Sequence, residues 1–186
     1  MSHRIACALI VGDGVEDKNW QRCMESVEPY VDHIFVNYNG KKPKFPYYEP
    51  TQCKFTWKPF EWVDDFSISR NQSFEMIRES GEEFDWYMWI DSDDELLHGE
   101  KIQKMLDSVQ DATDGIFLTY QYGYDPDTES ILVSQRRERF LRADKRWTWN
   151  FPVHEIAHPD LGSQLGYRPD VIVRHHRKST SEEHTR

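Results

Sequence analysis

The sequence contains few cysteines and no long apolar run, and both features narrow the class of protein. Its three cysteines, Cys7, Cys23 and Cys53, are odd in number and no pair has zinc-site spacing, which favours free thiols in a reducing compartment. No run of about 18 apolar residues is present, so no transmembrane helix is predicted. The N-terminal residues have no signal-peptide profile. Together these features predict a cytoplasmic protein.

Positive charge is also scarce. The chain has 23 Lys and Arg against 33 Asp and Glu, which gives a formal net charge of −10. A nucleic-acid-binding surface would be basic, so nucleic acid is not an expected partner. A small anionic ligand remains compatible with this charge if basic side chains gather locally. The length of 186 residues fits a single domain over 1–186, with a polar tail at about 177–186.

One stretch joins the most apolar part of the chain to the most acidic part. Residues 86–90 are five bulky apolar residues, and four of residues 91–95 are acidic. This pattern predicts a central strand of a parallel sheet, buried on both faces. Ligands of such sheets lie beyond the carboxyl ends of the strands, where clustered carboxylates need a cation. Oxygen ligands suit Mg²⁺ or Mn²⁺. The alternative is a solvated acidic loop.

The remaining pattern predicts an alternation of strands and helices. An apolar run at 5–11, helical spacing at 20–27 and a second strand at 33–38 form a right-handed parallel unit. From residue 116 the period changes to two, and we expect residues 116–150 to form a small mixed second sheet. The other expected elements are strands at 53–57 and 171–174, helices at 66–79 and 102–109, and a loop at 41–52.

Four segments carry a resemblance to a known family. They are DDFSISRN at 64–71, WIDSDDE at 89–95, RFLR at 139–142 with Trp147, and VHE at 153–155. Their order and spacing resemble the family 2 glycosyltransferases of the GT-A fold, in the bacterial and viral branch with DFSxxRN, DxDD and VHE segments. The resemblance covers roughly the whole chain. It implies a Rossmann-like three-layer α/β/α fold with a mostly parallel central sheet.

The same resemblance implies an activity and a metal. It implies metal-dependent transfer from a nucleotide-diphosphate sugar, first of all a UDP-sugar, to a saccharide or other hydroxyl acceptor. Asp91 and Asp93 match the DxD carboxylates, with Asp93 the direct ligand of Mn²⁺ or Mg²⁺ and Asp91 bridging to the ribose or a metal-bound water. His175 or His176 matches the histidine that completes the coordination, and His154 competes for that role.

Further residues are expected to bind the donor. The nucleotide pocket should lie at the ends of the first two strands, although relatives often carry an acidic residue where this chain has Asn37. Arg70 lies early in a predicted helix, where it can meet the diphosphate. The alternative is that Arg70 pairs with Asp64 or Asp65. The full set of expected donor contacts is Val11, Gly12, Asp13, Asn37, Asp65, Arg70, Asp91 and Ser92.

The catalytic and acceptor residues are also expectations. Glu155 matches the general base of inverting members, which takes the proton of the acceptor hydroxyl. Asp94 is the alternative base, and the alternative for Glu155 is a salt bridge with a nearby arginine. Trp147 and Trp149 are expected either to stack on an acceptor sugar or to belong to the core.

Two other functions compete with the transferase. One is a non-catalytic carbohydrate- or nucleotide-binding module on the same fold, but the chain keeps Asp91, Asp93 and Glu155. The other is a sugar nucleotidyltransferase, which usually carries a basic residue in a loop after the first strand, whereas here the first is Lys18. The sequence also allows further domains in a longer protein, because relatives often continue past the last strand.

Overall fold

A computed structural model describes residues 2–12, 17–40, 53–125, 127–128, 130–159 and 162–176. The expected loop at 41–52 and the polar tail at 177–186 lie wholly outside these residues, as does Asp13. The strands are β1 (Ile5–Val11), β2 (His33–Asn39), β3 (Lys54–Phe60), β4 (Trp86–Asp91), β5 (Asp94–Leu97), β6 (Thr113–Tyr124), β7 (Ile131–Arg142), β8 (Trp147–Asn150), β9 (Ile156–Pro159) and β10 (Gln164–His175). The α-helices are α1 (Asp17–Val27), α2 (Phe66–Glu79) and α3 (Ile102–Asp107), and two short 3₁₀ helices span Glu28–Tyr30 and Gly99–Lys101.

Eight strands form one sheet in the order β3-β2-β1-β4-β7-β6-β10-β5. The pairings among β3, β2, β1 and β4 are parallel, as is the pairing of β6 with β10. The three remaining pairings, β4 with β7, β7 with β6 and β10 with β5, are antiparallel. The protein is therefore a mixed α/β structure with a mostly parallel sheet, and this part of the prediction is confirmed.

The strand predicted to be central does lie inside the sheet. β4 is buried from Trp86 to Ile90, and it pairs with β1 so that Asp91 lies opposite Ile10. The carboxyl ends of β1 and β4 therefore meet at one edge, where ligands of open α/β sheets bind. The acidic run that follows forms β5, a short strand that the sequence did not predict.

Alternate residues of β1 contribute to two apolar clusters. Ile5, Cys7 and Leu9 belong to a cluster that includes residues of α1 and α3, whereas Ala6 and Ala8 belong to a second cluster with residues of α2. This alternation is the period-two pattern of a strand buried on both faces. The small side chains of the two alanines leave room for α2 to approach the sheet.

Helix α2 carries the DFSISRN segment, and its start is fixed by a side-chain cap. The Asp65 Oδ1 atom accepts hydrogen bonds from the backbone N–H groups of Ser67 at 2.8 Å and Ile68 at 3.2 Å. Such caps satisfy backbone donors that the first turn leaves free, and removing one typically costs about 1 kcal/mol. The cap fixes where the helix begins and therefore where Arg70 lies.

The predicted second sheet over 116–150 is wrong. Strands β6 and β7 extend the main sheet, because β7 pairs with β4 through Met88 and Phe140. A strand that joins there satisfies backbone groups that the edge of β4 would otherwise leave unpaired. A separate two-stranded sheet does exist, but it consists of β8 and β9. Within the described ranges, no helix is both long and apolar enough to cross a membrane.

Candidate functional site

A pocket of about 610 Å³ opens at the carboxyl edge of the sheet. Its lining combines acidic, basic, aromatic and small residues from segments far apart in the sequence. The lining residues are Ile10, Gly12, Asn19, Asn39, Phe60, Trp62, Phe66, Arg70, Asp91, Ser92, Asp93, Tyr120, Tyr122, Arg137, Val153, His154, Glu155 and His175.

Arg70 links two carboxylates of this pocket. Its Nη2 atom donates to Asp91 Oδ1 at 2.9 Å, and its Nε atom donates to Glu155 Oε1 at 2.7 Å. The residue is only 4% exposed, and its guanidinium carbon lies 4.0 Å from the centre of the Trp89 ring. Burial works to raise the pKa of Asp91, but the charges of Arg70 and Arg139 outweigh it and hold that pKa below its usual value.

The expected alternative partners of Arg70 are therefore wrong. Asp65 caps helix α2, and Asp64 Oδ1 accepts a hydrogen bond from Trp62 Nε1 at 2.8 Å. Asp65 is also absent from the pocket lining, so the structure does not bring it to the place of a base contact. The salt bridge proposed as the alternative for Glu155 is present, with Arg70 as its partner.

Asp93, Asp94 and His175 form an acidic cluster beside Arg70. One possible ligand atom from each lies within 4.8 Å of the other two. The His175 Nδ1 atom is 3.1 Å from Asp94 Oδ1 and 3.6 Å from Asp93 Oδ1. Burial, followed by the negative charge of Asp91, raises the pKa of Asp93 to about 6. The cluster therefore holds negative charge that its protein partners do not fully offset.

The chemistry of this cluster fits a divalent cation. Asp93 and His175 face the pocket, and their carboxylate oxygen and imidazole nitrogen are donors that Mn²⁺ accepts. Burial lowers the pKa of His175, but the hydrogen bond to Asp94 and the charges of Asp93 and Asp94 raise it above its usual value, so its surroundings favour a positive charge. Around the pocket floor, five carboxylates outnumber three guanidinium groups. These groups are Asp91, Asp93, Asp94, Glu138 and Glu155 with Arg70, Arg137 and Arg139.

Of the three candidate histidines, the structure brings His175 into this cluster. His176 is held elsewhere, with Nε2 at 2.8 Å from Glu95 Oε2 and Nδ1 at 2.9 Å from the Tyr124 hydroxyl oxygen. It does not line the pocket, which contradicts its expected role as a ligand. His154 lines the pocket with a positive φ of 59° and lies outside the Asp93–Asp94–His175 cluster.

Asp94 is completely buried and lies behind the pocket. Its Oδ1 atom accepts a hydrogen bond from the Tyr120 hydroxyl at 3.1 Å, and its Oδ2 atom accepts one from Arg139 Nη2 at 3.1 Å. Asp94 is not a lining residue, so the structure does not place it where it could take a proton from a substrate. It instead orients His175 through the contact with Nδ1.

A β-bulge in β7 brings Arg137 and Arg139 to the ring of Trp89. The pairing of β6 with β7 passes from Phe140 to Glu138, so Arg139 is an extra residue in β7. The guanidinium carbons of Arg139 and Arg137 lie 3.8 and 5.3 Å from the centre of the Trp89 ring. The indole N–H of Trp89 donates to the carbonyl oxygen of Glu138. The bulge thereby brings two arginines of one basic stretch against Trp89, and Arg137 lines the pocket.

The structure places only some of the expected nucleotide contacts in the pocket. Gly12 and Ser92 line the pocket, but Val11 belongs to the apolar core. Asn37 is only 1% exposed, and its Nδ2 atom donates to the backbone oxygen of Ser69 at 3.2 Å. Asn37 therefore fastens β2 to helix α2 and does not reach the pocket. Asn39, two residues further along the strand, lines the pocket instead.

The two tryptophans expected to stack on an acceptor are core residues. Trp147 is 2% exposed and Trp149 is 1% exposed, and both belong to the cluster that includes α2. The ring of Trp149 packs edge-on against Trp89, with centroids 5.0 Å apart. The stacking role is therefore contradicted and the core alternative holds, because β8 and β9 turn these rings inward.

Several pocket residues were not identified from the sequence. The aromatic residues Phe60, Trp62 and Phe66 line one side of the pocket, and Arg137 lines its floor. Phe66 lies inside the DFSISRN segment and Trp62 lies just before it. The sequence signal that could have identified these pocket residues is a group of bulky aromatic residues next to a polar turn.

The fold and the site together define an α/β protein with an acidic, arginine-braced pocket at the carboxyl edge of a mostly parallel sheet. No family model matches the chain. The chain is 31% identical to a TPR repeat-containing protein of Synechococcus elongatus over 94 residues, which are 50% of this chain and 21% of that protein. The chain thus spans about a fifth of the length of the curated relative that it matches.

Solved structures that match part of this chain include those of TarS from S. aureus. TarS 1–349 is 12% identical with a TM-score of 0.46, over 64% of this chain and 36% of that one. The same fragment in complex with UDP-GlcNAc is 11% identical with a TM-score of 0.46, over 64% and 35% of the two chains. A longer TarS structure is 12% identical with a TM-score of 0.47, over 66% and 23%.

Proposed function

We propose that the protein is a metal-dependent glycosyltransferase that uses a nucleotide-diphosphate sugar, with a UDP-sugar as the first candidate. One observation carries the proposal. Three segments of the family 2 resemblance meet at a single guanidinium, because Arg70 of DFSISRN contacts Asp91 of WIDSDDE and Glu155 of VHE. These segments are far apart in the sequence, and a purely structural role would not require them to border one pocket.

The donor would occupy the pocket at the carboxyl ends of β1, β2 and β4. A volume of about 610 Å³ lies within the usual range of small-molecule sites. Gly12 leaves the backbone open at the end of β1, and Asn39 offers an amide that can bond to a nucleobase. Asp93 and His175 would hold a divalent cation, which supplies positive charge to the diphosphate leaving group.

Arg137 is the arginine that we assign to the diphosphate. Its Nη2 atom donates to the backbone oxygen of Glu155 at 2.9 Å, and its nearest carboxylate oxygens, on Glu138 and Glu155, are 3.6 and 3.8 Å away. Its buried Nε atom has no hydrogen-bond partner among the described residues. Arg70, by contrast, is held at 2.7 and 2.9 Å by two carboxylates. Arg70 therefore organises the site, while Arg137 keeps donors for a phosphate oxygen.

Glu155 would take the proton of the acceptor hydroxyl in a single displacement with inversion. It lines the pocket, and its contact with Arg70 fixes the orientation of the carboxyl group. A general base must lie within hydrogen-bond reach of the hydroxyl that it deprotonates. Asp94 is buried behind the pocket, so Glu155 is the better placed of the two candidates.

The proposal is tested by binding and by product analysis. Calorimetric titration of UDP and GDP is carried out with Mg²⁺ or Mn²⁺ and again with EDTA. We expect affinity that depends on the metal, followed by transfer from a panel of nucleotide sugars that includes UDP-GlcNAc. Donor binding without transfer to any hydroxyl acceptor would indicate a non-catalytic module. Release of pyrophosphate from UTP and a sugar 1-phosphate would indicate a nucleotidyltransferase.

A further inference from the structure

Two loops on one side of the pocket are unusual in their backbone. They span residues 61–65 and 151–155, and they are joined where the Phe66 N–H donates to the Pro152 oxygen at 3.0 Å. Among the described residues, four that are not glycine have positive φ, and three of them lie here: Asp64 at 54°, Phe151 at 76° and His154 at 59°. Such backbone strain clusters at functional sites.

The same loops expose apolar side chains. Phe151 is 56% exposed and Val153 is 60% exposed, and Val63 and Phe66 are also largely exposed. Phe66 and Val153 line the pocket. Single exposed apolar residues need no explanation, but a group of four on two joined loops, two of which line the pocket, indicates a contact surface.

Trp62 lies beside this surface, and a hydrogen bond and a ring contact hold its orientation. Its Nε1 atom donates to Asp64 Oδ1 at 2.8 Å, which satisfies its one polar group. Its ring meets the ring of Phe66 edge-on, with centroids 4.7 Å apart and planes at 66°. Trp62 lines the pocket, so the ring is aimed at the same space as Arg137 and Glu155.

The position of these rings indicates which substrate they contact. The bond from Phe66 to Pro152 ties them to the segment that ends in Glu155, the proposed base. Phe60 pairs with Asn39 at the end of β2, on the proposed nucleotide side, and its ring meets the Trp62 ring edge-on with centroids 6.5 Å apart. The Trp62 ring therefore lies between the proposed nucleotide side and Phe66, which is the ring joined to the acceptor side.

We propose that the Trp62 ring, with Phe66 packed edge-on against it, is a stacking platform for a pyranose ring of a saccharide acceptor. This inference rests on the proposed function and narrows its acceptor to a sugar. One face of a pyranose presents C–H groups that pack well on an aromatic face, while its hydroxyls keep polar partners. His154 and Glu155, next to Val153 in the lining, supply such partners at the edge of the platform.

The test is saturation-transfer NMR with methyl glycosides of glucose, galactose and N-acetylglucosamine, in the presence of UDP and Mg²⁺. We expect saturation of the C–H protons on one ring face. Trp62→Ala and Trp62→Leu should weaken saccharide binding by about tenfold, and Trp62→Phe should keep most of it. Leu132→Ala removes an apolar residue that is 68% exposed and lies outside the pocket lining, and should change nothing. UDP affinity, measured by calorimetry, should be unchanged in all four variants.

The outcomes separate this inference from the proposed function. If wild-type protein binds UDP with Mg²⁺ but none of the glycosides, the platform is overturned while the donor site stands. If Trp62→Leu loses as much affinity for UDP as it loses for the saccharide, the ring is assigned to the nucleobase and the platform is likewise overturned. If Trp62→Ala does not fold, as judged by circular dichroism, Trp62→Leu decides, and wild-type saccharide affinity in that variant contradicts the proposal. Failure of wild-type protein to bind UDP would refute the proposed function itself.

Discussion

Arg70 and Glu155 are 85 residues apart in the sequence, and their side chains meet at 2.7 Å beneath the pocket. The pair is almost completely removed from solvent, with side-chain exposures of 5% and 9%. A buried cation of this kind needs its carboxylate partners, because solvent cannot replace them. The contact therefore links the stability of the fold to the composition of the site.

Replacement of Arg70 should destabilise the protein strongly. Arg70→Ala would leave Asp91 and Glu155 without their cation, and breaking a buried pair in this way typically costs about 3–5 kcal/mol. The measurement is the free energy of unfolding in urea. Arg78→Ala, in the same helix, breaks an exposed pair with Glu75 and should cost less than about 1 kcal/mol. Equal losses in the two variants would contradict the bracing role of Arg70.

Replacement of Asp93 should remove the metal dependence of nucleotide binding. Asp93→Asn keeps the shape of the side chain but removes the charge that the cation would neutralise, next to Asp94 and His175. Calorimetry should show UDP affinity in Mg²⁺ falling to the value measured with EDTA. Glu100→Gln, at an exposed position outside the pocket lining, is the control and should behave as wild type. Full metal dependence in Asp93→Asn would place the cation elsewhere.

Replacement of Arg137 should weaken diphosphate binding selectively. Arg137→Gln removes a cation that lines the pocket, and loss of a charged hydrogen bond should lower UDP affinity by about 1.5–3 kcal/mol. Uridine lacks the diphosphate, so its affinity should hardly change. The control is Arg136→Gln, since Arg136 is exposed and lies over the Tyr167 ring at 4.1 Å. If Arg137→Gln binds uridine and UDP with equally reduced affinity, Arg137 stabilises the fold and does not bind the diphosphate.

Replacement of Glu155 should separate binding from transfer. Glu155→Gln keeps the volume of a residue that lines the pocket but removes its basicity. Transfer should fall by roughly 10²–10⁴-fold while donor binding persists. Calorimetry measures the donor, and NMR of the wild-type product reports the anomeric configuration. Near-normal turnover in the variant, or a retained configuration, would each count against Glu155 as base of an inverting displacement.

Protonation of His33 should destabilise the protein at acid pH. The ring is buried, with Nδ1 at 3.1 Å from Glu82 Oε1 and Nε2 at 2.8 Å from Thr56 Oγ1. Burial lowers the pKa of His33 below its ordinary value of 6.5, with Lys54 and Arg4 adding to the effect and Glu82 opposing it. The unfolded chain therefore binds the proton more readily than the folded protein does.

Stability should fall as the pH falls, because the folded protein binds the proton on His33 less readily than the unfolded chain does. The contribution of His33 to stability is complete above pH 6.5 and is lost as the pH falls through the lower pKa of the folded state. Urea unfolding at several pH values should show a smaller loss of stability on acidification in His33→Gln than in wild type. His98→Gln, at an exposed position, is the matched control. Parallel profiles for wild type and His33→Gln would refute the prediction.

The sequence was most informative where a local pattern was strong. Residues 86–90 could be placed inside a parallel sheet because a short, continuously apolar run that ends in charge is typical of a strand buried on both faces. The acidic residues that follow had to lie at its carboxyl end. The presence of Asp93 and His175 in one cluster was expected from the family resemblance, and the geometry agrees.

The sequence was least informative where the partner of a segment decides its role. The period-two pattern of β6 and β7 is the same whether they form a separate sheet or extend the main one. Asn37 and Asn39 lie on the same strand, but helix α2 covers only the first of them. The inward orientation of Trp147 and Trp149 likewise depends on the pairing of β8 with β9, a strand that the sequence pattern did not predict.

Because Arg70 and Glu155 are 85 residues apart, the ribosome synthesises Arg70 well before Glu155. At a synthesis rate of roughly 5–20 residues per second, Glu155 leaves the ribosome several seconds after Arg70. Of the two carboxylate partners of Arg70, Asp91 and Glu155, only Asp91 has been synthesised during that interval. A nascent chain that has folded its first strands therefore carries an incomplete pocket, and it can recognise a ligand only after Glu155 has been synthesised and has reached Arg70.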